Sequence, residues 1–351
     1  MKYYLKEEFL HDVNAKNAGN KARNDVESIV KEEGYHPLVF SVDNWYQMST
    51  LAAQRHKAKA FGQALDQLKQ GDELLIQFPM LHHSFFSTHL VKKAQKRGIK
   101  VYLLIHDLEV LRHANMTSLP LKHRVRMYLQ EASFLKAADG IIAHNPVMKS
   151  VLVDKGIKED KIVSLGIFDY LIPDFQEKTT QTKDQPIIVA GNLAQEKAGY
   201  LYKLPAEPFY NLYGVGFDEN RALLNETYFG SFLPDELPSV LEGGFGLVWD
   251  GDSADTCSGV FGEYLRFNNS HKASLYLASG FPLVVWKQSA LSRFMLENGC
   301  GIAVESLHDL KNTIENLSDA DYQELVANAK RIGKKIRDGF YLTSALKQLT
   351  K

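Results

Sequence analysis

Cysteine is nearly missing: 351 residues contain only Cys257 and Cys300. Neither belongs to a Cys-x-x-Cys pair, which excludes a disulfide framework and a zinc site as organising devices and fits two unpaired thiols in a reducing compartment. No window approaches the roughly 18 uninterrupted apolar residues that a membrane-spanning helix needs. The opening Met1-Lys2-Tyr3-Tyr4-Leu5-Lys6-Glu7-Glu8 lacks the apolar run of a secretory leader, so a cytoplasmic protein is expected. Charge of one sign is missing too. The formal net charge is −1, without the basic surplus of a nucleic-acid binder, and no nucleic-acid partner is expected. Internal repeats and low-complexity tracts are absent. No Gly-x-Gly-x-x-Gly follows the first strand, which argues against a UDP-sugar epimerase or another Rossmann oxidoreductase.

The chain that remains is 45% hydrophobic and 24% charged, an ordinary soluble composition, and its length favours two domains. Up to about residue 165, short apolar runs alternate with amphipathic ones. Leu38–Phe40, Leu74–Phe78, Val101–Ile105 and Gly140–Ala143 read as buried strands. Asn24–Lys31, Leu51–Lys69, Thr88–Arg97, Val125–Lys136 and Pro146–Lys155 read as helices. The polar run Asp174–Pro186 has a linker composition. A second series follows, with strands from Pro186 to Gly191 and at Phe245–Trp249, Leu283–Trp286 and Gly301–Val304. Its helices are Pro234–Glu242, Lys272–Ala278, Ala290–Glu297 and Asp321–Lys335, and a short amphipathic tail covers Tyr341–Gln348. Strand–helix alternation of this kind predicts α/β architecture: two doubly wound, Rossmann-like parallel sheets facing across a cleft. The expected division is 1–170, a linker over 171–186, a second domain over 187–335, and a C-terminal helix over 336–351 packing back on the first domain.

The most informative segment runs from Asn268 to Val285: a polar entry, a helix, Gly280 to end it, Pro282, and an apolar strand. Ser270 can cap the helix and leave first-turn N–H groups for an anion. Lys272 lies in that first turn, where the helix dipole disfavours a cation, so something negative should compensate it. A diphosphate would do so; a solvated lysine is the plainer alternative.

At this point the sequence resembles the donor-binding helix of GT-B glycosyltransferases. Three segments together are similar to one subgroup: Leu104-Ile-His-Asp-Leu108, Leu233-Pro-Asp-Glu followed by Gly243-Gly-Phe-Gly-Leu-Val-Trp249, and the Lys272 helix. That subgroup extends O-GlcNAc on bacterial serine-rich-repeat adhesins, and β-1,6-galactofuranosyltransferases are related to it through a segment resembling Phe168-Asp-Tyr-Leu171. The resemblance covers nearly the whole chain. It implies that Ser270, His271, Lys272, Ala273, Ser274 and Leu275 surround the phosphates and ribose of UDP. Phe232 takes the place of a tyrosine packed on uracil, keeping the stacking face and losing the hydroxyl. After Gly191-Asn192 the family offers a basic residue; here Gln195 and Lys197 compete for its place, and Lys197 keeps the charge. Ala18 and Gly19 correspond to a loop touching the donor from the first domain, without the family's hydroxyl. Independently of family, Asn14–Arg23 is a small polar loop in which Gly19 permits close approach of a ligand; a flexible turn is the plainer alternative.

His106 and Asp107 follow the strand Val101–Ile105 directly, and either could take the proton from an acceptor hydroxyl. Asp107 is the first choice for the base; the competing reading makes His106 structural and Asp107 a helix cap. Asp250-Gly-Asp252-Ser-Ala-Asp255 resembles the Mn²⁺-holding Asp-x-Asp of GT-A enzymes, but a helix N-terminus with Lys272 already balances a diphosphate, so no metal and no other cofactor is expected. Glu263 and Arg266 are candidates for contacts with the sugar. The basic stretches Lys92–Arg97 and Lys122–Arg126 fit solvated helix faces, with peripheral membrane contact left open.

The expectation is therefore a metal-independent glycosyltransferase, a homo-oligomer, that moves glucose or galactose from a UDP-sugar to a GlcNAc-bearing adhesin or related surface glycan. Two alternatives stand beside it: a non-catalytic UDP-sugar- or acceptor-binding subunit, and a galactofuranosyltransferase of polysaccharide synthesis.

Overall fold

The computed structural model describes residues 1–8, 18–43, 45–113 and 130–350. The chain divides into two compact units, one of Met1–Asn14, Arg23–Leu165 and Leu342–Lys351, the other of Ala15–Ala22 and Gly166–Tyr341.

The first unit is built on six strands: β1 (Lys2–Glu8), β2 (His36–Ser41), β3 (Glu73–Phe78), β4 (Lys100–Ile105), β5 (Gly140–Ala143) and β6 (Ile162–Ser164). They are ordered β2-β1-β3-β4-β5-β6, and every pairing is parallel. A parallel sheet with helices on both faces has no wet side, which is why β3, β4 and β5 are nearly unbroken runs of Leu, Ile and Val. Two strands are not expected from the sequence. β1 is Lys-Tyr-Tyr-Leu-Lys-Glu-Glu, too polar to stand out, and β6 is three residues at the sheet edge. Helices cover Ala18–Glu32, Thr50–Asp66, Ser87–Lys96 and Pro146–Asp154.

The first helix begins six residues before the expected Asn24, so Ala18–Arg23 is helix and not loop. Ala18, Lys21, Ala22 and Arg23 are good helix formers, and a single glycine near a helix end is a small cost. Asn14–Asn17 lie outside the described residues, as do Lys122–Arg126 and the first part of the expected helix Val125–Lys136; from residue 130 to 137 the chain is helical.

The second unit also has a six-stranded parallel sheet: β7 (Ile187–Asn192), β8 (Tyr210–Val215), β9 (Glu226–Tyr228), β10 (Phe245–Val248), β11 (Leu283–Trp286) and β12 (Gly301–Val304). The order β12-β11-β10-β7-β8-β9 is the Rossmann order counted within the unit. β8 and β9 are not expected from the sequence, since Tyr210-Asn-Leu-Tyr-Gly-Val carries no unbroken apolar run and β9 has three residues. The expected helix Pro234–Glu242 shrinks to Leu237–Val240, with Pro238 inside its first turn. Helices at His271–Ala278, Ala290–Glu297 and Asp319–Arg337 form as expected to within two residues, and a last helix spans Phe340–Leu349. The polar run before β7 has no regular structure, yet it is fastened: Gln181 donates to the Gly280 carbonyl at 3.2 Å, and the Arg337 guanidinium lies 3.5 Å from the Phe175 ring centroid. Among the described residues no helix is long and apolar enough to cross a membrane.

Candidate functional site

In an open parallel sheet, ligands gather beyond the carboxyl ends of the strands where the strand order reverses. In the second unit that point lies between β7 and β10. Gly191 closes β7, Asp250 follows β10, and the His271–Ala278 helix places Lys272 against both. The Lys272 ammonium lies 2.8 Å from Asp250 Oδ1 and 3.3 Å from the Trp249 carbonyl. A Cβ on Gly191 would sit 3.6 Å from Lys272 Cε, so the lysine stem runs beside the end of β7. Both charged side chains are largely buried, 10% and 8% exposed. Lys272 thus has its compensating negative charge within the chain, a partner that the sequence did not identify although Asp250 was visible in it. The ammonium spends two of its three N–H bonds on these oxygens; among the described residues nothing takes the third.

The helix is held by what surrounds it. Residues Ala273 to Ala278 are all buried, and the Gly280 and Phe281 N–H groups donate back to Leu277 and Tyr276. Tyr276 lies flat on β10, and its oxygen accepts from the Ala190 N–H of β7 at 2.7 Å. That placement requires Gly246: a Cβ there would fall 2.2 Å from Tyr276 Cγ. At the other end Ser270 occupies the N-cap position, but contrary to the expected cap its side chain makes no capping bond. The first-turn N–H groups are therefore not consumed by it. Ser274 Oγ and His271 Nε2 are buried with no hydrogen-bond partner.

His271 joins a second group of sequence-distant residues. Its ring lies 5.1 Å from Tyr170 and 6.0 Å from Phe168. Tyr170 donates its hydroxyl to the Pro234 carbonyl at 2.7 Å, and Lys21 donates to the Leu171 carbonyl at 2.7 Å while pairing with Asp235 at 2.8 Å. The Lys21 ammonium stands 4.9 Å over the Tyr170 ring. The Phe168–Leu171 and Leu233–Glu236 segments and the start of the His271–Ala278 helix are thereby gathered around one histidine. Burial, with the nearby Lys21 charge, pushes the His271 imidazole down to about 4, so it is neutral at physiological pH.

The remaining sequence candidates are scattered around this point. Asn192 turns its side chain back to the Ala194 N–H at 2.9 Å. Gln195 is engaged by Arg221 at 2.9 Å, whereas Lys197 stands 5.3 Å over Phe261 and its carbonyl accepts from Gly251, beside Asp250. Phe232 packs on Tyr213, 6.3 Å between centroids, and Phe229 stacks on the same ring at 4.9 Å with 44% of its surface exposed. Ala18 and Gly19 open the first helix. Asp252 is hydrogen-bonded to Ser258, so Asp250 and Asp252 face different partners. Glu263 pairs with Arg266 at 2.9 Å, and that guanidinium lies 4.4 Å over Trp286.

In the first unit the order reverses between β1 and β3, and the strand ends there carry a polar cluster. His106, just past β4, has Nε2 2.7 Å from Gln77 Oε1 at the end of β3. Gln77 donates its own amide N–H to the Arg23 carbonyl at 3.3 Å, which turns its oxygen towards the histidine. A carbonyl oxygen only accepts, so it is the Nε2–H of His106 that donates in this contact. Asp107 does not cap the next helix; it pairs with Arg112 at 2.7 Å. The Glu7 carboxylate accepts from the Leu81 and His82 N–H groups at 2.9 and 2.8 Å, and burial raises it despite those bonds. His144, at the end of β5, is 1% exposed, and burial holds it down to about 4. Glu7, Gln77, Arg112 and His144 were not singled out in the sequence, where isolated polar residues after apolar runs carry no signal of their partners.

Family models place the chain. "Glucosyltransferase 3-like, N-terminal domain" matches residues 2–167, and "Glucosyltransferase 3-like, C-terminal domain" matches residues 187–349. The β-1,6-galactofuranosyltransferase WbbI of Escherichia coli K12 is 33% identical, with 97% of each chain covered. Among solved structures, sucrose-phosphate synthase of Thermosynechococcus elongatus matches with a TM-score of 0.62 at 13% identity over 99% of this chain and 97% of that one. Anabaena HepE in complex with UDP-glucose matches at 0.53 and 11% identity, over 99% and 98%. With both domain models matched in order and the two parallel sheets of the GT-B fold in place, the chain belongs to the glucosyltransferase 3-like family and is a glycosyltransferase.

Proposed function

We propose that the protein transfers a hexose from a UDP-sugar to a hydroxyl of a GlcNAc-bearing adhesin or a related surface glycan, without a metal ion. The observation that carries this reading is the Lys272 ammonium, with one N–H bond left over, in the first turn of the His271–Ala278 helix, at the point where the second sheet reverses its order. Uncapped first-turn N–H groups and the remaining lysine N–H bond are donors suited to a diphosphate, and the helix dipole adds to them. The charge that develops on the leaving UDP is then met by groups fixed before the reaction begins. Binding of UDP-glucose by the structurally similar HepE supports the choice of donor. The name of the WbbI relative favours galactofuranose as the competing sugar.

His106 and Asp107 are the candidate bases of the first unit. Asp107 is tied to Arg112 at 2.7 Å, so a substrate hydroxyl would have to share the carboxylate with that guanidinium. His106 has its ring orientation set by Gln77. The test measures UDP affinity by calorimetry and turnover separately. Lys272→Ala should lower UDP affinity about 100-fold, the loss of a charge-assisted contact of about 3 kcal/mol. Asp107→Asn or His106→Gln should keep UDP affinity, and whichever removes the base should cut turnover by about 10²-fold or more. Unchanged UDP affinity in Lys272→Ala removes the phosphate assignment. UDP binding with no transfer to any supplied acceptor favours a binding subunit.

A further inference from the structure

The first unit carries a charge asymmetry that sugar transfer does not explain. Residues 50–66 and 87–96 contain six lysines and arginines, five of them exposed and Lys57 buried, against one acid, Asp66, in a chain whose net charge is −1. These segments supply two neighbouring helices, Thr50–Asp66 and Ser87–Lys96, which pack on each other: a Cβ on Gly62 would lie 3.7 Å from Leu90. Both helices lead back from the carboxyl edge of the parallel sheet, so both begin at that edge. Their beginnings are tied together, because Gln54 accepts from the Phe85 N–H at 3.0 Å and its carbonyl accepts from the Ser84 hydroxyl at 2.8 Å.

The exposed faces of both helices change character along their length in the same way. On one, Leu51 is followed by Arg55 and Lys59 at helical spacing, all exposed. On the other, Phe85 and Phe86 are followed by exposed His89, Lys92, Lys93 and Lys96. At the sheet edge Leu51 is 53% exposed, Phe85 and Phe86 41% each, and Leu81 40%. Aromatic and aliphatic side chains grouped at one edge mark an interaction site. A cationic flank behind them selects an anionic partner. Apolar side chains entering the headgroup boundary with lysine and arginine close behind is the arrangement that a bilayer surface of anionic lipids rewards.

We propose that this face docks on an anionic lipid surface. The inference goes beyond the assignment of donor and acceptor. It brings the edge of the first sheet, which carries His106 and Asp107, to the bilayer, so that acceptors held at a membrane are met there.

The test is co-sedimentation of the full chain with vesicles of phosphatidylcholine alone or mixed with phosphatidylglycerol. Binding is expected only with the anionic lipid and should fade with added salt. Arg55→Glu with Lys92→Glu should weaken it more than about tenfold, since each basic residue near such a surface contributes about fivefold. Phe85→Ser with Phe86→Ser should weaken it about tenfold without changing the response to salt. All four positions are solvent-facing, and UDP calorimetry on the same variants reports folding and donor binding separately, so failure of the lipid proposal is not confused with failure of the donor assignment. The proposal is overturned if the protein ignores anionic vesicles, or if the variants bind them as well as the parent does. It is also overturned if the variants keep lipid binding and lose transfer to a soluble glycopeptide, which would give the face to a protein acceptor.

Discussion

His144 and His271 are held neutral by burial, each near 4 against an ordinary 6.5. A histidine whose folded value is depressed takes up its proton first in the unfolded chain, so the stability it supports is present above about 6.5 and is lost as pH falls towards 4. For His144, fully enclosed, the loss across that window is about 3 kcal/mol. Glu131 works in the opposite sense. It accepts from the Glu109 and Val110 N–H groups at 2.8 and 3.0 Å, and burial raises it to about 7, so its contribution falls as pH rises from about 4.5 to 7. In denaturant unfolding at pH 7 and pH 5, acidification should cost His144→Gln less stability than the parent and Glu131→Gln more; the same change in all three proteins would contradict both assignments. None of these three environments is legible in the sequence, because burial of a polar side chain is decided by elements far away in the chain.

Among the elements, the β10 strand and the His271–Ala278 helix are the clearest case of mutual fit. Gly246 could be read as one more small residue in Gly-Phe-Gly-Leu-Val-Trp, but its role is to leave room for the Tyr276 ring, which reaches across to the Ala190 N–H. Gly246→Ala should destabilise the protein by about 1–3 kcal/mol or more through overpacking, and should weaken UDP binding by displacing the helix that carries Lys272. A parent-like melting temperature together with parent-like UDP affinity would show that Tyr276 can move aside without cost. Apolar periodicity found most of the helices and the central strands. It missed β1, β6, β8 and β9, which are short or carry polar residues, and it started the first helix late because Asn, Gly and Lys residues look like a loop when their neighbours are unknown.

For the molecule as a whole, a ligand that binds only the folded chain stabilises it by mass action, by about 2.7 kcal/mol at a hundredfold excess over the dissociation constant, and so raises its melting temperature. UDP-glucose, UDP-galactose and UDP-galactofuranose should rank the donors in this way. On the proposed reading, in which Lys272 and the helix start supply the positive charge while Asp250 is paired with Lys272, the shift should be the same in EDTA and in manganese. A shift that appears only with manganese would return Asp250 and Asp252 to the role of metal ligands and end the metal-free reading.

By itself the sequence determined the α/β architecture, most of the helices and the central strands, the glycosyltransferase family and the helix over Lys272–Ala278, since periodicity, turn residues and contiguous motifs are all local properties of the chain. Only the tertiary structure decided which charges meet. Asp250 and Lys272 are 22 residues apart, Gln77 and His106 29, and Lys21 and Asp235 more than 200. Ion pairs and hydrogen bonds act over a few ångströms, and such proximity is created by the order of strands in a sheet, which no local pattern of residues encodes.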